Sequence, residues 1–302
     1  MPLLNDPASV PTAMWIVTRH LVGCPGRRQN RQTLKATVSP ASLLPPGRHD
    51  SDTTFEYAVK TLLDLGIAAE DGEQLALADV AKSLTPDDVA AFDDLLRRQA
   101  LDAGRNENIA DSGNQTGPKD LVRALSWFLT LDPYAPMSHD DVVQKQRGAI
   151  AESLGNPFVN DFRWNRFTYW APALGFAAPP LIPRLGTKSQ TLVPDCTTAV
   201  RRTMQAKWPP GTRLPARDAV AAIIDELPVL PGGRYSVALG LAADAPDVSA
   251  TLSFALLCAD EYGWLQLHRR SDADDEVLLV DPDQSNGTRR VTHLDIMEPI
   301  DE

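Results

Sequence analysis

A loosely repeated junction between a helix and a strand limits what this chain can fold into more than any other feature. Three times an apolar, helix-like run ends at a glycine and continues into strand-like residues. The junctions are Leu65-Gly66-Ile67, Leu174-Gly175-Phe176 and Tyr262-Gly263-Trp264. Glycine readily takes the left-handed conformation that follows the last turn of a helix. Because a helix followed by a two-stranded wing is typical of a winged helix, we expect winged-helix-like units in tandem.

The first predicted unit, residues 1–80, carries the clearest pattern of this kind. A helix-like run over Thr12–Val22 is followed by Asn30, which is placed to cap a second short helix. A third helix is predicted over FEYAVKTLLDLG. The Asp71-Gly72 pair lies between alternating apolar residues and predicts a hairpin, which would form the wing.

The second predicted unit, residues 119–212, follows an acidic helix and a polar linker at residues 81–118. Ser138 is placed to cap one of its helices, and its third helix is predicted over DFRWNRFTYWAPALG. The segments FAAPPLIPR and SQTLVPD are candidate wing strands, although their prolines allow only edge or irregular strands.

The third predicted unit, residues 213–302, is acidic. Its long apolar helix ends at Gly263, and the stretch WLQLHRRSDADDEVLLV predicts a hairpin around Ser271–Asp275. The expected fold class is therefore mainly α with small β-hairpins, an α+β protein built from tandem winged-helix-like units.

Charge alternates along the chain although the net charge is −11. The balance is +4 for residues 1–50, −10 for 51–159, +7 for 160–217 and −12 for 218–302. A net negative charge argues against a protein that coats nucleic acid, but a local basic block still suits contact with phosphates.

The basic block in the second predicted unit is the main candidate for nucleic-acid binding. Arginine suits both phosphate contact and guanine recognition, and asparagine can pair with adenine. The candidate residues are Arg163, Trp164, Asn165, Arg166, Arg184, Lys188, Arg201 and Arg202. The alternative is that the aromatic side chains pack in a core and the arginines cover them with their aliphatic stems.

A second basic strip lies in the first predicted unit and comprises Arg19, Arg27, Arg28, Arg31 and Lys35, of which Arg27, Arg28 and Arg31 are further candidates for nucleic-acid contact. The following predicted recognition helix carries Glu56 and Asp64, whose carboxylates would repel phosphate. We therefore expect this strip to contact phosphates without reading bases, to dock on an acidic partner, or to be a solvated face.

The signatures of enzymes and metal sites are missing from the sequence. It contains no phosphate-binding GxxxxGK[ST] loop, no GxGxxG and no GxSxG. The histidines are scattered, and the three cysteines fit neither a disulfide framework nor a zinc site. We expect a non-enzymatic protein without cofactor or metal, and a reducing cytoplasm as its location.

Four stretches resemble the DpdG family: PLLNDPASVPTAMWIVTRHL, TLVPDCTTAVRR, LPARDAVAAIIDELPVLPGGRYSV and LQLHRRSDADDEVLLV. Members of this family are encoded in bacterial gene clusters that insert 7-deazapurines into DNA and restrict foreign DNA. The resemblance implies an accessory role in phage defence beside the modification and restriction proteins of the cluster. It implies no active-site residues.

Two functions follow as hypotheses. In the first, the chain binds duplex DNA through its second unit, within a bacterial defence or DNA-processing assembly. In the second, the chain is a protein–protein adaptor on a winged-helix scaffold and does not touch nucleic acid. An enzyme whose site assembles only in three dimensions is a third alternative.

Overall fold

A computed structural model describes residues 2–5, 9–40, 42, 54–112, 116–182, 190–241, 248–270 and 275–298. Contacts divide the chain into two compact units. Compact unit 1 comprises residues 1–107, 113–121 and 162–174, and compact unit 2 comprises residues 108–112, 122–161 and 175–302. The predicted unit boundaries after residues 80, 118 and 212 stay predictions.

Helices and a small antiparallel sheet form the first part of compact unit 1. The helices are α1 (Pro11–Gly23), α2 (Arg31–Val38), α3 (Thr54–Asp64) and α4 (Val89–Ala100). The strands β1 (Arg28–Asn30), β2 (Ala68–Asp71) and β3 (Gln74–Leu77) form one sheet in the order β1-β3-β2. Helix α1 packs on α3, which buries Met14 and Leu21 from one helix and Val59 and Leu62 from the other.

Local signals in the sequence explain how these elements begin and end. The Asn30 side chain accepts hydrogen bonds from the backbone N–H groups of Gln32 and Thr33, so it caps α2 as predicted. Gly66 has a φ of 66° after α3, and the predicted hairpin forms with Gly72 in its turn.

The middle of the chain is also helical. It contains α5 (Lys119–Phe128), α6 (His139–Lys145) and α7 (Asp161–Ala173), followed by the paired strands β4 (Ala177–Ala178) and β5 (Val193–Pro194). Ser138 and Asp141 form a reciprocal capping box at the start of α6, which confirms the predicted cap. The described parts of the proline-rich segments thus supply two-residue strands.

The rest of compact unit 2 combines four helices with two sheets. The helices are α8 (Thr197–Lys207), α9 (Ala216–Glu226), α10 (Arg234–Ala238) and α11 (Ala250–Glu261). The strands are β6 (Arg213–Pro215), β7 (Leu265–His268), β8 (Val277–Val280), β9 (Thr288–Val291) and β10 (His293–Ile296). One sheet has the order β6-β10-β7, and β8 pairs with β9. The fold is α+β, with small antiparallel sheets, as the sequence predicts.

The predicted hairpin of β7 with β8 is wrong, although both strands form. Strand β7 pairs with β10, in register from His268 opposite His293 to Leu265 opposite Ile296. Strand β8 instead pairs with β9, across a turn in which Gly287 donates to Gln284 and has a φ of 70°. Alternation predicts each strand but not its partner, because any two alternating strands can pair.

The same order of elements occurs at both ends of the chain. This order is a helix, a strand, two helices and two strands. In the first part of the chain it reads α1-β1-α2-α3-β2-β3. In the last part it reads α8-β6-α9-α11-β7-β10, and α10 and the β8–β9 hairpin are additions to it. In both sheets the last strand lies between the other two. Along the middle of the chain, α5, α6, α7, β4 and β5 follow a similar order, and Met137 between α5 and α6 bridges to Leu192.

Helix α11 is apolar and is covered by its own compact unit. The side chains of Leu252, Ala255, Leu256 and Ala259 are buried, and so is Ser253. The Ser253 Oγ accepts a hydrogen bond from the backbone N–H of strand β8, and β8 contacts the helix. A helix that is apolar on most sides belongs in a core.

None of the helices in the described parts of the chain has both the length and the apolar character needed to cross a membrane.

Candidate nucleic-acid interface

Helix α7 carries four of the predicted nucleic-acid-binding residues, and their exposure differs. Asn165 is exposed, while Arg163 and Arg166 are half-buried. Trp164 is 1% exposed, and its ring stacks on that of Phe167 with 5.7 Å between the centroids. The burial of Trp164 supports the alternative in which the aromatic side chains pack and the arginines cover them.

Arg163 binds the amino-terminal segment of compact unit 1. Its Nε donates to the Asn5 Oδ1 at 2.7 Å. The same segment is held by Trp170, also in α7, whose Nε1 donates to the Ser9 carbonyl at 3.1 Å. One face of α7 therefore serves to fix residues near the start of the chain.

Asp120, in α5, is the third anchor of this segment. Its carboxylate accepts the backbone N–H groups of Leu3 at 2.9 Å and Leu4 at 2.7 Å, and it also accepts that of Leu121. Burial raises the pKa of the Asp120 carboxyl, while these hydrogen bonds and the charge of Arg163 oppose the rise. Leu3 and Leu4 are themselves buried, so the segment is part of the core.

Arg166 lies on the ring of Phe162 one turn earlier in α7. The guanidinium carbon is 4.7 Å from the ring centroid, which is the distance of a cation–π contact. This contact fixes the side chain while leaving the residue half-exposed. Together with Asp161, Asn165 and Tyr169, which are exposed, it forms the accessible polar part of α7.

The predicted basic strip of the first unit is involved in ion pairs. Arg31 Nη2 lies 2.6 Å from the Glu56 carboxylate, and Arg31 also pairs with Glu70. Lys35 Nζ lies 3.0 Å from the same Glu56 carboxylate. Burial raises the pKa of Glu56, but hydrogen bonds from Arg31 and Lys35 outweigh it, and the net shift is downward. We call these four residues the α2–α3 ion network.

The two neighbouring arginines of this strip differ from each other. Arg27 has a φ of 52° and donates to the Ala81 carbonyl at 3.1 Å, so its side chain fixes the local loop. Arg28 is exposed, in β1, and forms no ion pair with any residue that the model describes.

The remaining predicted cations belong to compact unit 2. Arg201 and Arg202 are half-buried residues in α8. Gly175, which precedes β4, accepts a hydrogen bond from Ala199 in the first turn of this helix. Arg184 and Lys188 lie outside the described residues.

Sequence reasoning missed the roles of Asn5 and Asp120. Asn5 and Arg163, like Asp120 and the pair Leu3 and Leu4, are more than 100 residues apart in the chain, so no local pattern in the sequence connects them.

A model of the DpdG-like family matches residues 1–273. The chain belongs to the DpdG-like family. Neither a curated protein nor a solved structure matches it. Membership suggests that this DpdG-like chain has an accessory role in a DNA-modification system.

The candidate residues offer cations and amides. Across the described part of the chain, no three histidine, cysteine, aspartate or glutamate side chains are grouped so that they could hold a metal ion. The candidate residues are suited to hydrogen bonds with phosphates and base edges.

Proposed function

We propose that the chain is a non-enzymatic protein of three tandem winged helices that binds duplex DNA through the second of them. Its setting would be a bacterial defence or DNA-processing assembly, with other proteins of that assembly as partners. The observation that carries the DNA-binding proposal is the face of α7 on which the half-exposed Arg166 lies beside the exposed Asn165.

The repeated order of elements supports the winged-helix scaffold. In a winged helix the strand after the first helix pairs with the second strand of the wing. The second wing strand therefore lies in the middle of the sheet. Strands β3 and β10 both have this position. In the middle of the chain, the bridge between Met137 and Leu192 supplies the equivalent pairing beside β4 and β5.

The exposure and charge of α7 support contact with DNA. It would be the third helix of its winged helix, which is the helix that such motifs place in the major groove. Arg166 and Asn165 are accessible, and Tyr169 lies one turn further on. A guanidinium held on an aromatic ring is positioned in advance, so less side-chain entropy is lost on binding.

The other two units are less suited to DNA. In the first, the α2–α3 ion network places Glu56 and Glu70 beside the cations that would meet phosphate. In the third, the helix equivalent to α7 is α11, which lies beneath the β8–β9 hairpin. These two units are better suited to protein contacts.

The decisive experiment measures binding to a mixed-sequence duplex at several salt concentrations. Wild-type affinity should fall steeply with salt, because each neutralised phosphate releases counterions and contributes about −0.9 to the logarithmic slope. Arg166→Glu should lower the affinity at least about tenfold and make the slope shallower. Arg163 is unsuited to this test, because it binds Asn5 and its loss would disturb the fold.

Arg98→Glu is the matched control, since Arg98 is an exposed residue of α4 and the charge change is the same. It should bind DNA as the wild type does. If both variants lose the same affinity, only overall charge matters, and the α7 surface is not the interface. If the wild type does not bind even at low salt, the DNA-binding proposal is wrong.

The adaptor function is the second candidate, and it gains weight because the covered α11 and the α2–α3 ion network make the first and third units poorly suited to DNA. An adaptor would bind a protein of the same assembly with an affinity that Arg166→Glu does not change. Co-purification of wild type and variant with the same protein, together with no DNA affinity, would establish this function.

A further inference from the structure

An exposed apolar pair lies a short distance after β4. The side chains of Leu181 and Ile182 are 102% and 84% exposed, so they contact almost nothing in the described protein. Pro179 and Pro180 precede them and limit the backbone conformations available just before the pair. Two adjacent, large aliphatic side chains in water are an unfavourable arrangement unless a partner covers them.

The charge near this pair in the sequence favours a polyanionic partner. Between residues 177 and 194 the sequence has two cations and no carboxylate, in a chain whose net charge is −11. The same compact unit carries Arg201 and Arg202 in α8, and the Ala199 N–H in the first turn of α8 bonds to the Gly175 carbonyl just before β4. The residue that precedes the β4–β5 wing therefore contacts the first turn of α8, a helix that carries cations.

Apolar side chains have a known use at a DNA surface. Leucine, isoleucine and proline can enter between base steps from the minor groove, where they unstack the bases and bend the duplex. The cost of unstacking is offset by the apolar surface that leaves water and by additional phosphate contacts. Leu181 and Ile182, which follow β4, have the exposure that such a wedge requires.

We propose that Leu181 and Ile182 form a wedge that enters a base step of duplex DNA and bends it. This inference rests on the proposed DNA binding and adds to it. It makes the protein sensitive to how easily a duplex unstacks, so pyrimidine–purine steps and mismatches should be preferred over stiff A-tracts.

The test uses the full chain, a mixed-sequence duplex that carries dyes at its ends, and permanganate, which oxidises unstacked thymines. Wild-type protein should increase thymine reactivity at discrete positions and shorten the distance between the dyes. Leu181→Ser/Ile182→Ser should abolish both effects and lower the affinity about tenfold, while the salt slope stays the same. Val237→Ser, which alters a 63% exposed valine of α10, should behave as the wild type.

The outcomes separate the wedge from DNA binding itself. Salt-dependent binding without unstacking, or unstacking that persists in the double variant, overturns the wedge and leaves the proposed function standing. If the wild type does not bind DNA, the proposed function and the wedge both fail. If the double variant releases a co-purifying protein but unstacks DNA as before, the pair is a protein-docking site and the wedge is wrong.

Discussion

At the scale of single residues, Glu56 changes the electrostatic character of an entire helix face. Sequence reasoning treats Arg31, Lys35 and Glu56 as separate charges, and the sum suggests a basic strip with an acidic neighbour. In the structure one carboxylate is bound by both cations. A phosphate that approached this face would have to compete with Glu56 for the same N–H donors.

Replacing Glu56 with glutamine should destabilise the fold by about 1 kcal/mol at pH 7, because the amide keeps its shape but loses its charge. The folded pKa of Glu56 lies below its ordinary value of about 4.3. The stabilisation is therefore present above the unfolded pKa and is lost as the pH falls through the folded pKa. Denaturant unfolding at pH 7 and pH 3 should show a smaller difference in stability between wild type and Glu56→Gln at pH 3 than at pH 7.

Glu107→Gln is a suitable comparison for this measurement, since Glu107 is exposed. It should have the wild-type stability at both pH values. An equal loss of stability in Glu56→Gln at pH 3 would mean that packing, and not charge, is the contribution of Glu56.

Gly175 is a second residue whose replacement has a clear consequence. Its φ is 78°, and a Cβ there would lie 2.8 Å from the Ala199 backbone nitrogen. Gly175→Ala should lower the free energy of unfolding by about 2–4 kcal/mol, because strain at positive φ adds to a backbone clash. Thermal unfolding of the variant would measure the loss.

The contribution of the clash can be isolated with Gly240→Ala. Gly240 has a similar φ of 70°, but no atom of the described residues lies within 4 Å of the position that a Cβ would take. This variant should lose only about 1 kcal/mol. Equal losses at the two glycines would contradict the close contact between Gly175 and α8.

At the scale of secondary-structure elements, local signals predicted where helices begin and one close hairpin, but not which distant strands pair. Asn30, Ser138 and the Asp71-Gly72 turn act over three or four residues, and each has its predicted role. The short strands β1 and β6 have no such signal, because three residues are too few to show alternation. Their partners come from strands that lie far along the chain.

The candidate site was predictable only in its residue types. The sequence places Arg163 and Arg166 three residues apart, which indicates one helix face. It does not indicate that Arg163 binds Asn5 while Arg166 lies on Phe162. That distinction depends on contacts between elements, and it decides which arginine is suitable for a binding test.

The anchoring of the amino-terminal segment by α5 and α7 can be tested at Asp120. Asp120→Ala removes the acceptor of three backbone N–H groups and should cost about 2–3 kcal/mol, because buried donors are left without partners. Hydrogen exchange at Leu3 and Leu4 should become much faster in the variant. Asp140→Ala, which alters an exposed aspartate of α6, should leave exchange at these amides unchanged.

At the scale of the whole molecule, the family match ends before the last strand of the fold. The match ends at residue 273, whereas β10, the middle strand of its sheet, comprises His293–Ile296. A chain shortened to residues 1–273 should leave β6 and β7 without their common partner. We expect limited proteolysis to cut this fragment between residues 197 and 273 much faster than the full chain.

A chain shortened to residues 1–298 keeps every described strand and should resist the protease as the full chain does. Equal resistance of the 1–273 fragment would show that β6 and β7 hold their places without β10. The three-stranded pairing would then contribute little to the stability of that part of the chain.

The central position of β10 also has a consequence for synthesis on the ribosome. The first sheet can close as soon as β3 has been made, only a few residues after β2. The other sheet must wait from Arg213 to Ile296, which takes on the order of several seconds at about 5–20 residues per second. During that interval the edges of β6, and later of β7, can bond to other polypeptides. Codon choice over residues 213–296 and the presence of a holdase chaperone should therefore affect the yield of this protein more than changes near its amino terminus.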